Sequence, residues 1–241
     1  MRTFAQTNIQ LINQLWVSGY PAGEIDSVVT SYEVAMRLFT GLFRASGKTF
    51  IAHLVGTASI LGSLRASSNL IAAGLLHAAY ASGDFGDGRR GVRDAKRAWM
   101  RSVVGNEIEA YVAGYSNLNW SAHAPAAILE GIDALGPFDR EVLLMRLANE
   151  LEECLDLGIL YCGVEKQRIA SSDSVGPLMI QMAELLGFPD LALQLGDAFM
   201  ETARAEIPPS LRKPDGRNVS FLVAPQSYQR VMDAVAKRLN K

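Results

Sequence analysis

The stretch Arg44-Ala-Ser-Gly-Lys-Thr-Phe-Ile-Ala-His53 decides the fold, because a short charged loop leads here into a long apolar segment. A second piece, Leu75-Leu76-His77-Ala78, closes an apolar run, and a third, Arg146-Leu147-Ala148-Asn149-Glu150, lies in a long predicted helix. The two histidines fall in successive predicted helices. We therefore expect both to line one cavity; the alternative is that each is an ordinary core histidine.

Helical periodicity extends over most of the 241-residue chain. The predicted helix from Ser68 to Tyr80 is apolar on nearly every face, which is typical of a central helix. A break is expected from Ser171 to Pro177. The sequence thus predicts an all-α fold, with one helical domain over residues 1–170 and a small helical C-terminal extension over residues 171–241 packed on it.

Composition and charge limit the classes of partner. Hydrophobic residues make up 49% of the chain and charged residues 20%, which is ordinary for a folded protein. The net charge of -2 gives no basic field for nucleic acid, and no apolar run approaches a membrane span in length. Cys154 and Cys162 lie too far apart on one predicted helix for a disulfide. We expect a cytoplasmic protein without nucleic-acid or membrane partners. The sequence does not predict the oligomeric state, and an oligomer is possible.

The order and spacing of the three motifs resemble the HD superfamily, most closely the hydrolase domain of RelA/SpoT-type guanosine-tetraphosphate hydrolases, over about residues 25–160. In that family the second motif is His-Asp and the last is Ala-Asp, and a Glu-Asp pair follows the second histidine. Here Ala78, Asn149, Ala81 and Ser82 stand at those positions. The resemblance therefore implies an HD-type helical fold, with a degenerate metal motif.

The resemblance also implies a divalent metal, for which imidazole and carboxylate ligands suit Mn, Fe or Zn. His53 and His77 keep the family's imidazoles, and Glu153 and Asp84 are the carboxylates that can replace the lost ones. A rebuilt metal site would then consist of these four residues. The alternative is that the acidic residues of the long helix form a solvated face: Glu150, Glu152, Glu153 and Asp156.

Arg44, Ser46 and Lys48 gather two cations and a hydroxyl in one short loop ahead of His53. Arginine suits bidentate phosphate contacts, and lysine acts as a point charge. We predict that these three residues bind a small phosphorylated ligand, together with Asn149 and Glu153 from the long helix. A helix-capping turn with solvated charges is the alternative.

Tyr80 lies three residues after His77 and would share its helical face. The segment resembles bacterial HD-like proteins that carry His-x-x-Tyr in this place. The resemblance implies a catalytic set of His53, His77 and Tyr80 that works by acid–base chemistry without a metal. Core packing of Tyr80 is the alternative.

Three further groups of polar residues carry weaker expectations. Arg90, Arg93, Arg97 and Arg101 fit one helical face, which we expect to be solvated, unless an anionic ligand binds at the mouth of the cavity. His123 is expected at the surface. The tail cations are expected in an exposed loop or folded over a phosphate: Arg212, Lys213 and Arg217.

Two functions follow from these patterns. The first is a retained pocket for a phosphorylated small molecule, a nucleotide or a sugar phosphate, with altered phosphohydrolase-like or lyase-like chemistry. The second is a non-catalytic HD-like protein that binds a ligand or a partner and regulates it. The losses at Ala78 and Asn149 argue against ordinary metal-dependent hydrolysis in either case.

Overall fold

The computed structural model describes residues 4–121, 124–161, 165–211 and 220–226, with the backbone alone over 165–174. The chain is built of α-helices, so the predicted all-α class is confirmed. The first helices are α1 (Asn8–Val17), α2 (Ala22–Phe39), α3 (Phe50–Ser63), α4 (Ser68–Gly74), α5 (Ala79–Ser82) and α6 (Asp94–Val104). They are followed by α7 (Asn106–Asn117), α8 (Ala124–Glu130), α9 (Pro137–Leu155), α10 (Glu165–Leu185) and α11 (Pro189–Arg204).

A two-stranded ribbon accompanies the helices. Strand β1 (Leu42–Phe43) pairs antiparallel with β2 (Phe221–Leu222), so that Leu42 lies opposite Leu222. Short 3-10 turns connect other elements: Ile132–Ala134, Gly158–Tyr161 and Pro209–Leu211. The ribbon brings the chain just beyond residue 220 back against the loop that precedes Arg44.

Helix α3 is the central element, since it packs against α1, α2, α4 and α9. The Thr49 hydroxyl caps it by accepting the Ala52 amide hydrogen at 3.2 Å. Nearly all of its residues are buried, as the apolar sequence predicts. Gly56 allows close approach, because a Cβ there would lie 2.7 Å from Glu152 of α9. The core therefore surrounds the helix that carries His53.

The apolar segment predicted as one helix from Ser68 to Tyr80 is two helices, α4 and α5, joined by a turn that holds His77. The His77 Nδ1 atom lies 2.8 Å from the Gly74 carbonyl oxygen. In a continuous helix that oxygen would accept from the amide of residue 78. The imidazole takes this place, and the Leu76 amide instead bonds three residues back, to Ala73 at 2.9 Å.

The break predicted over Ser171 to Pro177 is wrong, because α10 runs through this segment with Pro177 inside it. The residue-170 boundary therefore falls within a helix. A helix-interior proline costs about 3 kcal/mol, and the packing of α10 along α11 and against α8 offsets that cost. Gly176 assists, since a Cβ there would lie 3.1 Å from the Phe199 ring of α11.

Among the described residues, no helix is both long and apolar enough to cross a lipid bilayer. Several sequence expectations lie outside the described residues. They concern His123, Cys162, Arg212, Lys213, Arg217 and the part of the predicted C-terminal extension beyond residue 226.

Candidate functional site

The two histidines meet at the centre of the molecule. His53 of α3 and His77 of the α4–α5 turn are both almost fully buried. Their Nε2 atoms lie 3.3 Å apart, and the ring centroids lie 5.1 Å apart in an edge-on arrangement. The structure thus brings the two histidines into contact, but only His77 of the pair lines the neighbouring pocket, whereas both were expected to line one cavity.

A row of hydrogen bonds continues from this pair in both directions. The Gly74 carbonyl can only accept, so His77 carries its proton on Nδ1 and offers a lone pair at Nε2. His53 then donates from Nε2, and its Nδ1 contacts the Glu152 carboxyl. A neutral His53 accepts at Nδ1, which makes Glu152 the proton donor. Both nitrogen atoms of both imidazoles are therefore engaged.

Burial sets the protonation of this row. It lowers the pKa of His53 well below its ordinary value, and the positive charge of Arg44 adds to the effect. Burial likewise lowers the pKa of His77 to about 3. For Glu152 burial raises the pKa to about 8, against the opposing charge of Lys48. Neutral histidines and a protonated Glu152 satisfy every hydrogen bond in the row.

Glu152 was not among the predicted site residues, and the alternative of a solvated helix face is wrong for it. Its side chain is only 1% exposed. Its neighbour Asp156 does lie at the surface. The missed signal is the helical spacing, since Glu152 follows Met145 by seven residues and Ala148 by four, and both of these are buried.

A pocket of about 240 Å³ opens beside His77. Residues of α3, α5 and α9 line it, together with Arg44 from the loop before α3. Its wall includes the positions at which the HD resemblance places carboxylates: Ala78, Ala81, Ser82 and Asn149. Its remaining lining residues are Arg44, Phe50, His77, Tyr115, Arg146 and Glu153. The structure thus brings together Arg44, His77, Asn149 and Glu153, as predicted.

Arg146 and Tyr115 were not among the predicted site residues. Arg146 donates from Nη1 to the Tyr115 hydroxyl at 2.9 Å and from Nη2 to Glu150. Its guanidinium lies 4.8 Å from the centre of the Trp120 ring. Its buried Nε has no hydrogen-bond partner among the described residues. The sequence shows that Arg146 belongs to the same motif as Asn149. It does not show that the Arg146 side chain points into the pocket.

Arg44 is the second arginine that lines the pocket. It donates from Nη2 to Glu153 at 2.7 Å, and Asn149 contacts the same Glu153 oxygen at 3.5 Å. The Arg44 guanidinium also lies 5.9 Å from the centre of the Phe50 ring. Burial lowers the pKa of Arg44, but the charge of Glu153 outweighs this and leaves that pKa raised. Arg44 stays charged in the pocket wall.

Ser46 and Lys48, predicted with Arg44 as ligand-binding residues, do not line the pocket. Lys48 turns to the carboxyl of Glu152 and to Asp156, whose Oδ2 is 3.1 Å away. Ser46 accepts the Lys48 amide hydrogen at 3.4 Å. The Asp156 carboxylate and an acceptor oxygen of Glu152 hold the lysine. Of the two cations of the loop, Arg44 therefore lines the pocket and Lys48 lies at the end of the histidine row.

Tyr80 and Asp84 also lie apart from the histidine pair, contrary to the expected catalytic and metal sets. Tyr80 donates to the Glu109 carboxylate at 2.8 Å and stacks on Phe85. Asp84 is exposed and accepts the Gly86 amide hydrogen at 2.8 Å. The physical reason is the turn that holds His77, because it removes the three-residue helical spacing on which the prediction for Tyr80 depended.

The donor set does not fit the metal centre that the HD resemblance implies. Within the described residues there is no group of three His, Cys, Asp or Glu side chains that could hold a metal ion. Asn149 offers the pocket beside His77 only a neutral amide, and the Glu152 carboxyl is already bonded to His53. Burial lowers the pKa of His77, and the positive charges of Arg44 and Arg146 add to this effect. The same positive potential opposes a dication.

Comparisons with known proteins agree with the fold. Residues 36–119 match a family model described as a domain of unknown function, DUF6817. The solved structure of a metazoan ortholog of SpoT, which hydrolyses ppGpp and plays a role in starvation responses, is similar with a TM-score of 0.53. The likeness covers 76% of this chain and 97% of that one at 14% identity, so it extends to the fold alone. No curated protein matches the sequence.

Proposed function

We propose that the pocket beside His77, here called the histidine pocket, binds a small phosphorylated molecule of the nucleotide class without a metal ion. The observation that carries this proposal is Arg146, whose buried Nε–H faces no acceptor among the described residues. An unsatisfied buried donor costs about 1–3 kcal/mol, and a ligand oxygen would remove that cost.

The composition of the pocket wall suits such a ligand. Arg44 and Arg146 present guanidinium groups, which match the planar donor geometry that phosphate prefers. Phe50 and Tyr115 add aromatic surface that can contact a base or a sugar. Glu153 partners Arg44, so an incoming phosphate must displace a carboxylate. The likeness to a ppGpp hydrolase supports the nucleotide class.

Binding is favoured over hydrolysis for two physical reasons. Ala78, Ala81 and Ser82 line the pocket but carry no carboxylate that could bind a metal ion, neutralise its charge or activate water. His77 lines the pocket, but its Nδ1 is bonded to Gly74 and its Nε2 to His53. A general base needs an available lone pair, and His77 has none to offer in this arrangement.

The test is calorimetric titration with GDP, ppGpp and glucose 6-phosphate in EDTA, with a parallel assay of phosphate release. We expect at least one nucleotide to bind and Arg146→Gln to weaken it about tenfold, as loss of a charged hydrogen bond does. The matched control is Arg93→Gln, which removes one charge from an exposed side chain outside the pocket. If no nucleotide binds, or if the control weakens binding equally, the proposal fails. Turnover in EDTA would identify a metal-free enzyme instead.

A further inference from the structure

We propose a second binding site, for a phosphate-class oxyanion, in the cleft between the glycine-rich loop at residues 83–90 and the end of α2. This glycine-loop cleft has a volume of about 310 Å³. Three arginines line it, namely Arg37 of α2 and Arg89 and Arg90 of the loop. Ser82 lines both this cleft and the histidine pocket, so the two are neighbours.

The loop that forms the cleft is anchored at both ends. The Asp84 amide donates to the Leu38 carbonyl at 2.9 Å, and the Gly91 amide donates to the Tyr80 carbonyl at 2.7 Å. Between these anchors Gly86 has a φ of +77°, which is a left-handed conformation that glycine adopts without strain. The backbone that carries Arg89 and Arg90 is thus held in place at both ends of the loop.

Lys96 of α6 supports the loop from below. It is 4% exposed, donates to the Arg89 carbonyl, and lies 4.7 Å from the centre of the Phe85 ring. It also lies 3.3 Å from the Asp87 carboxylate. A buried lysine committed to these contacts is not available to a ligand, but it neutralises one of the two acids in the cleft.

The acids of the cleft are satisfied and the arginines are not. Asp84 accepts the Gly86 amide hydrogen, and Asp87 accepts the Arg89 amide hydrogen at 3.0 Å besides its contact with Lys96. By contrast, the side chains of Arg37, Arg89 and Arg90 have no ion pair or hydrogen bond with any other described residue. Among the described residues in and below the cleft, Lys96 and the three arginines outnumber the two acids, which leaves an excess of positive charge.

An excess of arginine charge around an anchored loop points to an external anion. Like charges that line one cleft repel each other, and a bound oxyanion would turn this repulsion into charge-assisted hydrogen bonds. Arginine presents planar pairs of donors that match the oxygens of phosphate. The site therefore fits a phosphate or pyrophosphate group, either free or as the outer phosphate of a ligand held in the histidine pocket.

The test is calorimetric titration with inorganic pyrophosphate at constant ionic strength. We expect Arg90→Gln and Arg37→Gln each to weaken its binding about tenfold, as loss of one charged hydrogen bond does. Arg93→Gln is the matched control, because it removes the same charge from an exposed side chain that does not line the cleft. Its effect should stay below about twofold, since it has no direct contact with an anion in the cleft and salt screens its charge.

Arg146→Gln separates this proposal from the proposed function, because it alters the histidine pocket alone. Pyrophosphate binding that survives Arg146→Gln but not Arg90→Gln supports the second site. Binding that is lost in Arg146→Gln and kept in Arg90→Gln and Arg37→Gln would overturn it and leave the first proposal standing. Equal weakening by Arg93→Gln, or no binding at all, would also overturn it. A nucleotide that loses affinity in Arg90→Gln identifies the oxyanion as its own outer phosphate.

Discussion

The protonation state of Glu152 can be tested directly by substitution. Glutamine has nearly the shape of a protonated glutamate, and its amide can donate to His53 while its oxygen accepts from Lys48. We therefore expect Glu152→Gln to change the free energy of unfolding by less than about 1 kcal/mol at pH 5. Glu152→Ala, which also leaves a cavity, should cost about 2–4 kcal/mol. Denaturant unfolding measures both.

The pH dependence of the same variant has a definite sign. The pKa of Glu152 is raised to about 8 in the folded protein from an ordinary value of 4.5. The folded state therefore holds its proton where the unfolded chain has lost it, and the wild type loses stability as pH rises between these values. Glu152→Gln has no such loss and should become the more stable protein above pH 6. An ionised Glu152 would give the opposite result, a cost of about 3–5 kcal/mol at every pH from 5 to 8.

The positions at which the HD resemblance expects aspartates offer a second test. Ala78 and Asn149 line the same pocket as His77, so carboxylates at both positions would face the histidine pair. We expect the double variant Ala78→Asp and Asn149→Asp to bind Mn²⁺ with one ion per chain in calorimetry, whereas each single variant binds more weakly. A folded double variant that binds no Mn²⁺ would show that these positions do not correspond to the ligand positions of the HD superfamily.

Motif order predicted part of the pocket. Arg44, His77 and Asn149 line it as expected, whereas Ser46 and Lys48 of the first motif do not, because Lys48 contacts Glu152 and Asp156 instead. Glu152 was missed because a charged residue on a helix is usually solvated. The prediction for Tyr80 assumed one continuous helix through His77. It is wrong because the hydrogen bond from His77 to Gly74 interrupts that helix.

The contact of α3 with α9 depends on a glycine. A Cβ on Gly56 would lie 2.7 Å from the Glu152 side chain, which is fixed by its hydrogen bonds. Gly56→Ala should therefore destabilise the protein by about 1–3 kcal/mol, the usual cost of overpacking, although alanine favours helix. Gly23→Ala in α2 is the matched control, because nothing lies within 4 Å of its Cβ. Thermal unfolding that ranks Gly56→Ala at or above Gly23→Ala would contradict this packing.

Helix existence followed from periodicity, but helix continuity did not. The break in the apolar helix that ends near Tyr80 and the continuity of α10 through Pro177 were both predicted the wrong way. In the first case a local side-chain hydrogen bond, from His77 to Gly74, replaces a helical backbone bond. In the second case packing against α11 outweighs local propensity, and this tertiary contact cannot be seen in the local sequence.

Three helices are joined through one buried carboxylate, which links the stability of the whole domain to pH. Glu109 of α7 accepts hydrogen bonds from Tyr80 of α5 and from Arg97 and Arg101 of α6. Burial raises the pKa of Glu109, but these hydrogen bonds outweigh it and hold that pKa below its ordinary value of 4.5. A lowered folded-state pKa stabilises the protein above the unfolded value and loses this effect as pH falls through the folded value.

Glu109→Gln should therefore cost stability at pH 7 and much less in acid. At pH 7 we expect a loss of about 2–3 kcal/mol, because two arginines and a tyrosine lose a charged partner. As pH falls below 4.5 the wild type loses the same contribution, so the difference between the two proteins should shrink. Denaturant unfolding of both at pH 7, 5 and 3.5 measures this difference. A difference that stays constant over this range would show that Glu109 is not ionised in the folded protein, and the account of how α5, α6 and α7 are held together would have to be abandoned.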